Sequence, residues 1–154
     1  MKQRITLTNS RKVITLGGSM GGYGALLFGH MLQADEVHAF SPQSFLPSRQ
    51  GRHLWKAMLA RSWPLLRKQA MLRLDRQLDR RYFDLRPLLS DDHSTEYHVY
   101  FGMDNELDLA HGRHLAGLAT VHLHAFENVG HHVARHLRST GELDRILLKA
   151  MAFD

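Results

Sequence analysis

The chain of 154 residues has the length of one domain, and 44% hydrophobic with 23% charged residues is typical of a folded globular protein. The absence of cysteine excludes a disulfide scaffold, a thiol nucleophile and a thiolate metal site. The formal net charge is +5, but acids and bases alternate at helical spacing from Arg73 to Arg86, as on a solvated helix face. We therefore expect no nucleic-acid partner.

The amino-terminal residues are basic but lack the apolar stretch of a secretory signal. The longest apolar run, Ala25 to Phe28 followed by Met31 and Leu32, is much shorter than a membrane span. We expect a cytoplasmic protein without a membrane partner.

The first half of the chain alternates between strand and helix patterns. Residues 12–16 form a short β-branched run that stops at two glycines, which indicates a buried strand. Residues 19–33 have the apolar content of a helix, and residues 36–40 form a second strand. Residues 5–8 fit a further short strand. Prolines and glycine break any regular pattern just after the second strand.

The second half continues the alternation. Strands are predicted at 96–101 and 121–125, with helices at 109–118, 132–137 and 143–151. Strands separated by helices favour right-handed crossovers, so we predict an α/β fold: a parallel sheet of about four strands with flanking helices. Residues 1–154 make one domain, and residues 41–92 are expected to form a helical, lid-like insertion within it.

One motif points to chemistry. Gly17-Gly18-Ser19-Met20-Gly21 spells G-x-S-x-G directly after a strand and before a helix, which is the context that this motif requires. A serine on so sharp a turn needs small neighbours, and Gly17 and Gly21 satisfy that need. The turn also places Ser19 at a helix amino end, where the backbone N–H of Met20 would face a developing oxyanion.

This segment resembles the nucleophile elbow of the α/β-hydrolase family, and the resemblance covers nearly the whole chain. In that family the triad follows the chain order Ser, Asp or Glu, His. The resemblance implies a serine hydrolase that acts on a small-molecule ester, thioester or amide. No cofactor is implied, and the sequence does not name the substrate.

Two acids and two histidines compete for the remaining triad positions. Asp104 is the first choice for the acid because it follows the third strand most closely, and Asp108 is the alternative because it lies four residues further on. His131 is the first choice for the base because it forms a Gly-His pair with Gly130, as is usual in the family, and His132 is its alternative.

Other histidines lie at spacings that suit metal ligands. His111 and His114 would share a helix face, and His122 and His124 a strand face. No strict metal-binding motif accompanies them, so we expect no metal site.

The resemblance covers only the second half of the family fold, from the elbow strand onward, and we expect a truncated domain; the sequence leaves open whether Met1 is the true start. The elbow strand would then lie at a sheet edge, where residues 5–8 or a second copy of the chain would pair with it. The missing half normally supplies a second oxyanion N–H. An alternative function is therefore a catalytically inactive half-domain that serves as an assembly or partner-binding module.

Overall fold

The fold is an alternation of strands and helices, which the computed structural model describes for residues 10–46 and 79–152. The strands are β1 (Ile14–Gly18), β2 (Glu36–Phe40), β3 (Glu96–Gly102) and β4 (Val121–Phe126). The helices are α1 (Met20–Leu32), α2 (Arg86–Ser90), α3 (Glu106–His114), α4 (Val133–Ser139) and α5 (Glu142–Met151), with a 3₁₀ turn at Arg80–Phe83. The four strands are parallel in the order β1-β2-β3-β4. This confirms the predicted fold class.

Two elements differ from their predicted bounds in ways that affect the site. β1 runs two residues further than predicted and ends directly before Ser19. α3 begins at Glu106 rather than at 109, because the side chain of Asn105 accepts the N–H groups of Leu107 and Asp108 and caps the helix.

The larger core lies on one face of the sheet. It joins the inward side chains of β2 and β3 to α1, α2 and α3. Leu26 of α1, Leu89 of α2 and Leu115 just after α3 are at most 1% exposed. This core holds α1 and α3, the helices that begin after the carboxyl ends of β1 and β3.

The opposite face of the sheet carries a smaller core. Phe40 and Tyr100 pack there against Val133 and Leu137 of α4, with α5 outside them. Helices therefore cover both faces, as the crossover argument predicts.

The segments on either side of residues 47–78 belong to the core. Phe45 forms an isolated bridge with Asp84, and Leu85 is fully buried. Most of the predicted lid, residues 47–78 of 41–92, lies outside the described residues, as does the predicted strand at 5–8. No helix in the described ranges has the length and apolar character that crossing a membrane requires.

Candidate active site

A sharp turn of the backbone joins β1 to α1 at Ser19. Ser19 has φ 54° and ψ −120°, a conformation that costs a residue with a side chain on the order of 1–3 kcal/mol. Its N–H donates to the carbonyl oxygen of Phe40 at 2.8 Å, which ties the turn to the end of β2. The hydroxyl is thereby held at the carboxyl edge of the sheet.

Close backbone packing explains which glycines this turn needs. A Cβ on Gly17 would lie 2.2 Å from the carbonyl oxygen of Gly21, and a Cβ on Gly22 would lie 2.8 Å from the Cβ of Pro42. A Cβ on Gly21 would meet nothing within 4 Å. The turn therefore requires glycine at Gly17, as predicted. The second residue that must lack a side chain is Gly22, whereas the prediction named Gly21.

The loop after β4 brings His131 to the serine. The Nε2 atom of His131 lies 3.1 Å from the Ser19 hydroxyl oxygen. The loop is fixed by its main chain, since the carbonyl oxygen of Val129 accepts the Asp104 N–H at 3.1 Å. A Cβ on Gly102 would lie only 2.0 Å from that same oxygen, so β3 and the loop meet backbone to backbone.

Asp108 supports the other side of the imidazole. Its Oδ1 lies 2.8 Å and its Oδ2 3.1 Å from the His131 Nδ1. The carboxylate can only accept a hydrogen bond, so Nδ1 carries the proton and Nε2 keeps a lone pair toward Ser19. This hydrogen bond raises the pKa of His131 against the lowering effect of burial. The Asp108 side chain is 3% exposed, so its carboxylate is shielded from solvent, whereas the His131 side chain is 38% exposed.

The structure does not bring Asp104, the first choice from sequence, to the imidazole. Asp104 lies in the exposed turn after β3, and Asn105 takes the capping position of α3. Side chains on a helix lean toward its amino terminus, which directs Asp108 from the first turn of α3 back toward the loop that carries His131. Of the two acids that the sequence offers, the structure places the alternative, Asp108, beside His131.

The two remaining candidates lie beside this trio. His132 is exposed, and its ring contacts that of His131 at a centroid distance of 5.8 Å, in an edge arrangement. Met20 is the first residue of α1, so its N–H has no acceptor within the helix. The sequence predicts this N–H as the oxyanion donor.

A pair of buried residues near the site was not identified from the sequence. The N–H of Ser44 donates to the Nδ1 atom of His111 at 3.2 Å, and the Ser44 hydroxyl donates to the His111 carbonyl oxygen at 3.0 Å. His111 follows Asp108 by one turn of α3. The pair anchors the segment after β2 to the helix that holds the acid, and burial lowers the pKa of His111 to about 4.

The histidine pairs considered as metal ligands have other partners. His114 contacts the carboxylate of Asp84 at 2.7 Å, and His122 contacts that of Glu96. The spacing of histidines along the chain therefore does not reveal which of them meet in the fold.

Comparison with known proteins identifies the fold. Neither a family model nor a curated protein matches the sequence. Among solved structures, an α/β-hydrolase enzyme from the metagenome of lagoon sediments at Mar Chica, Morocco, superposes with a TM-score of 0.61 over 99% of this chain and 68% of its own, at 17% identity. The chain has the α/β-hydrolase fold.

Two further solved structures support the assignment. MenH from S. aureus matches with a TM-score of 0.61 at 13% identity, over 97% of this chain and 71% of its own. A thermophilic esterase from Thermogutta terrifontis matches with a TM-score of 0.54 at 16% identity, over 96% and 68%. The chain thus spans about two thirds of these α/β-hydrolase-fold proteins, and at such identities the likeness concerns the fold alone.

Proposed function

We propose that the protein is a serine hydrolase that cleaves an ester, thioester or amide with Ser19, His131 and Asp108. The observation that carries this proposal is the unbroken hydrogen-bond path from the Ser19 hydroxyl through both ring nitrogens of His131 to a buried carboxylate. An ordinary serine hydroxyl is a poor nucleophile, and this arrangement is the one that activates it.

The reaction would proceed in two halves. The Ser19 oxygen attacks the substrate carbonyl carbon while the His131 Nε2 takes the hydroxyl proton. The negative charge that develops on the carbonyl oxygen is stabilised by the Met20 N–H, and the imidazolium by Asp108. The leaving alcohol, thiol or amine then takes the proton from Nε2. Water, deprotonated by the same nitrogen, attacks the acyl-serine carbonyl. The bond to the Ser19 oxygen breaks, that oxygen takes the proton back from Nε2, and the acid is released.

The turnover we expect is slow. The Met20 N–H is the one oxyanion donor assigned within residues 10–46 and 79–152, and loss of one such donor costs about 100- to 1000-fold in rate. Activated esters, whose leaving groups need little help, are therefore the substrates of choice for a first assay.

Two apolar side chains favour an apolar acyl group. Met20 and Met103 are 54% and 40% exposed and follow the carboxyl ends of β1 and β3, the sheet edge that also holds Ser19. Methionine adapts to irregular apolar groups. The Thermogutta terrifontis structure with the same fold is described as an esterase, which agrees with an ester substrate for this chain.

The test is covalent labelling with a fluorophosphonate, read together with hydrolysis of p-nitrophenyl acetate. We expect labelling at Ser19 alone, and loss of both labelling and hydrolysis in Ser19→Ala and His131→Ala. His132→Ala is the matched control, because it removes the neighbouring exposed imidazole and leaves the hydrogen-bond path intact. Equal labelling of the native protein and His131→Ala would show an unactivated serine and contradict the proposal.

The second candidate is an assembly or partner-binding module. The feature that favours it is the position of β1 at the edge of the described sheet, with Leu16 61% exposed. An apolar edge strand is a template for pairing with another chain. Absence of labelling together with concentration-dependent association would support this candidate over the enzyme.

A further inference from the structure

Histidines from three neighbouring strands meet on one face of the sheet. His38 of β2 lies opposite His98 of β3, which lies opposite His122 of β4. The rings of His38 and His98 stack at a centroid distance of 4.9 Å with an angle of 11° between their planes. Glu36, two residues before His38, projects from the same face of its strand.

Three of these side chains converge at one point. Glu36, His38 and His98 each offer one ligand atom, and these atoms all lie within 4.8 Å of one another. The Nε2 atom of His38 is already 3.1 Å from the Oε2 of Glu36. In a tetrahedral zinc site with bonds of about 2.0–2.1 Å, ligand atoms lie roughly 3.3 Å apart. His38 is buried, and rotation of the half-buried Glu36 and His98 side chains covers the difference.

The Nδ1 atom of each imidazole has a partner outside the trio of Glu36, His38 and His98. The Nδ1 atom of His38 lies 3.1 Å from the Tyr100 hydroxyl, and the Nδ1 atom of His98 lies 3.3 Å from the Nε2 of His124. If each Nδ1 donates its hydrogen, each Nε2 presents a lone pair. Such outer hydrogen bonds orient the histidines of established metal sites.

Two imidazoles and one carboxylate meet at this point, with one ammonium group beside the carboxylate. Histidine binds a metal ion as the neutral imidazole, and the ring of His98 stacks between those of His38 and His122. Lys12 lies 2.7 Å from the Oε1 of Glu36, which leaves Oε2 directed at His38. The Lys12 ammonium repels a bound cation, so its removal should strengthen binding.

We propose that Glu36, His38 and His98 bind one divalent transition-metal ion, with Zn²⁺ as the best match. Two imidazoles and one carboxylate are a ligand set that zinc favours, and they leave a fourth position for water. The site occupies the amino-terminal half of β2, whereas Ser19 lies at the carboxyl edge of the sheet. It is therefore independent of the proposed hydrolase activity and would join β2 to β3.

The test is titration of the chelator-stripped full chain with Zn²⁺ by calorimetry and with Co²⁺ by visible absorption. We expect one equivalent to bind with a dissociation constant below micromolar, with the absorption of tetrahedral Co²⁺. Glu36→Gln and His98→Gln should each weaken binding at least tenfold. Glu96→Gln, the same change at the register partner of Glu36 on β3, should leave affinity unchanged.

A variant of a residue that orients His38 distinguishes a preorganised metal site from unrelated surface histidines. Tyr100→Phe keeps the ring in the core but removes the hydroxyl beside His38, and should weaken binding about 10- to 100-fold. Thermal melts with and without Zn²⁺ report folding of every variant, and the Zn²⁺-dependent rise in melting temperature should vanish in Glu36→Gln. Binding weaker than micromolar in the native chain, or equal affinity in Glu36→Gln and Glu96→Gln, would overturn the proposal.

Discussion

At the scale of single residues, the Asp108 carboxylate decides how His131 takes up protons. The imidazole acts as a base only when neutral, and the hydrogen bond to Asp108 raises its pKa above the ordinary value near 6.5. The protonated form, which is inactive in the proposed reaction, therefore persists to higher pH than it would for an isolated histidine.

The first prediction concerns this pH dependence. Hydrolysis of p-nitrophenyl acetate should rise with pH through a midpoint above about 6.5. Asp108→Asn should move that midpoint to lower pH and reduce the maximal rate by roughly 10⁴-fold, as for the equivalent change in a serine-protease triad. Rates measured across the pH range in buffers of constant ionic strength test both effects.

The matched control is Asp104→Asn, which removes one carboxylate from the exposed turn four residues earlier. We expect its rate and midpoint to equal those of the native protein. A large loss in Asp104→Asn with none in Asp108→Asn would mean that the acid is the one chosen from sequence alone.

At the scale of elements, α3 carries the proposed catalytic acid, Asp108, and the buried imidazole of His111 on the same face of the helix. His111 is 4% exposed and accepts the Ser44 N–H, so the folded protein holds it neutral with a pKa of about 4. The unfolded chain would titrate the same group near 6.5. Above that pH both states are neutral, and His111 contributes no pH dependence to the free energy of unfolding.

The second prediction follows from this difference. As the pH falls from about 6.5 toward 4, His111 takes up a proton in the unfolded chain but stays neutral in the folded protein. This one group therefore lowers the free energy of unfolding by about 3 kcal/mol over that range. His111→Asn keeps an acceptor for the Ser44 N–H but does not titrate. Urea unfolding at several pH values should show a shallower slope for the variant, and equal slopes would contradict the assignment.

At the scale of the whole molecule, β1 is an edge strand of the described sheet. Val13 accepts N–H groups from the start of β2, and Ser19 donates to the end of β2. In a parallel strand, every second residue directs its N–H and C=O groups to the same neighbouring strand. Val13 and Ser19 face β2, so the N–H and C=O groups of Ile14 and Leu16 point away from it. Unless residues 5–8 cover them, these groups are available to a second chain.

The third prediction is self-association through this edge. Sedimentation at several protein concentrations should show a concentration-dependent dimer. Ile14→Pro removes an outward N–H without removing a β1–β2 hydrogen bond, so it should weaken the dimer while the fold persists. Ile14→Val retains the donor and serves as the control. A native chain that stays monomeric at every concentration would refute this prediction.

The sequence predicted elements well where local chemistry decides them. β2 has its predicted bounds because a short apolar run ends at Ser41-Pro42, whereas β1 continues through Gly17 and Gly18, which local propensity treats as the end of a strand. Distance along the chain ranks Asp104 before Asp108, whereas in the fold Asn105 caps α3 and Asp108 lies beside His131. Alternation alone identifies strand faces, but the register that joins histidines of different strands depends on how the crossovers pack.

The close approach of Gly102 to the carbonyl of Val129 determines which positions of the loop tolerate substitution. The main chain and the buried Val129 side chain hold the loop in place, so we expect that Glu127, Gly130 and His132 can change while His131 keeps its position. A Cβ on Gly130 meets nothing within 4 Å. Libraries at these three positions should retain many folded, labelled clones in which substrate preference varies. Gly102 would be almost invariant in the same selection, since even alanine would displace the loop and with it the imidazole.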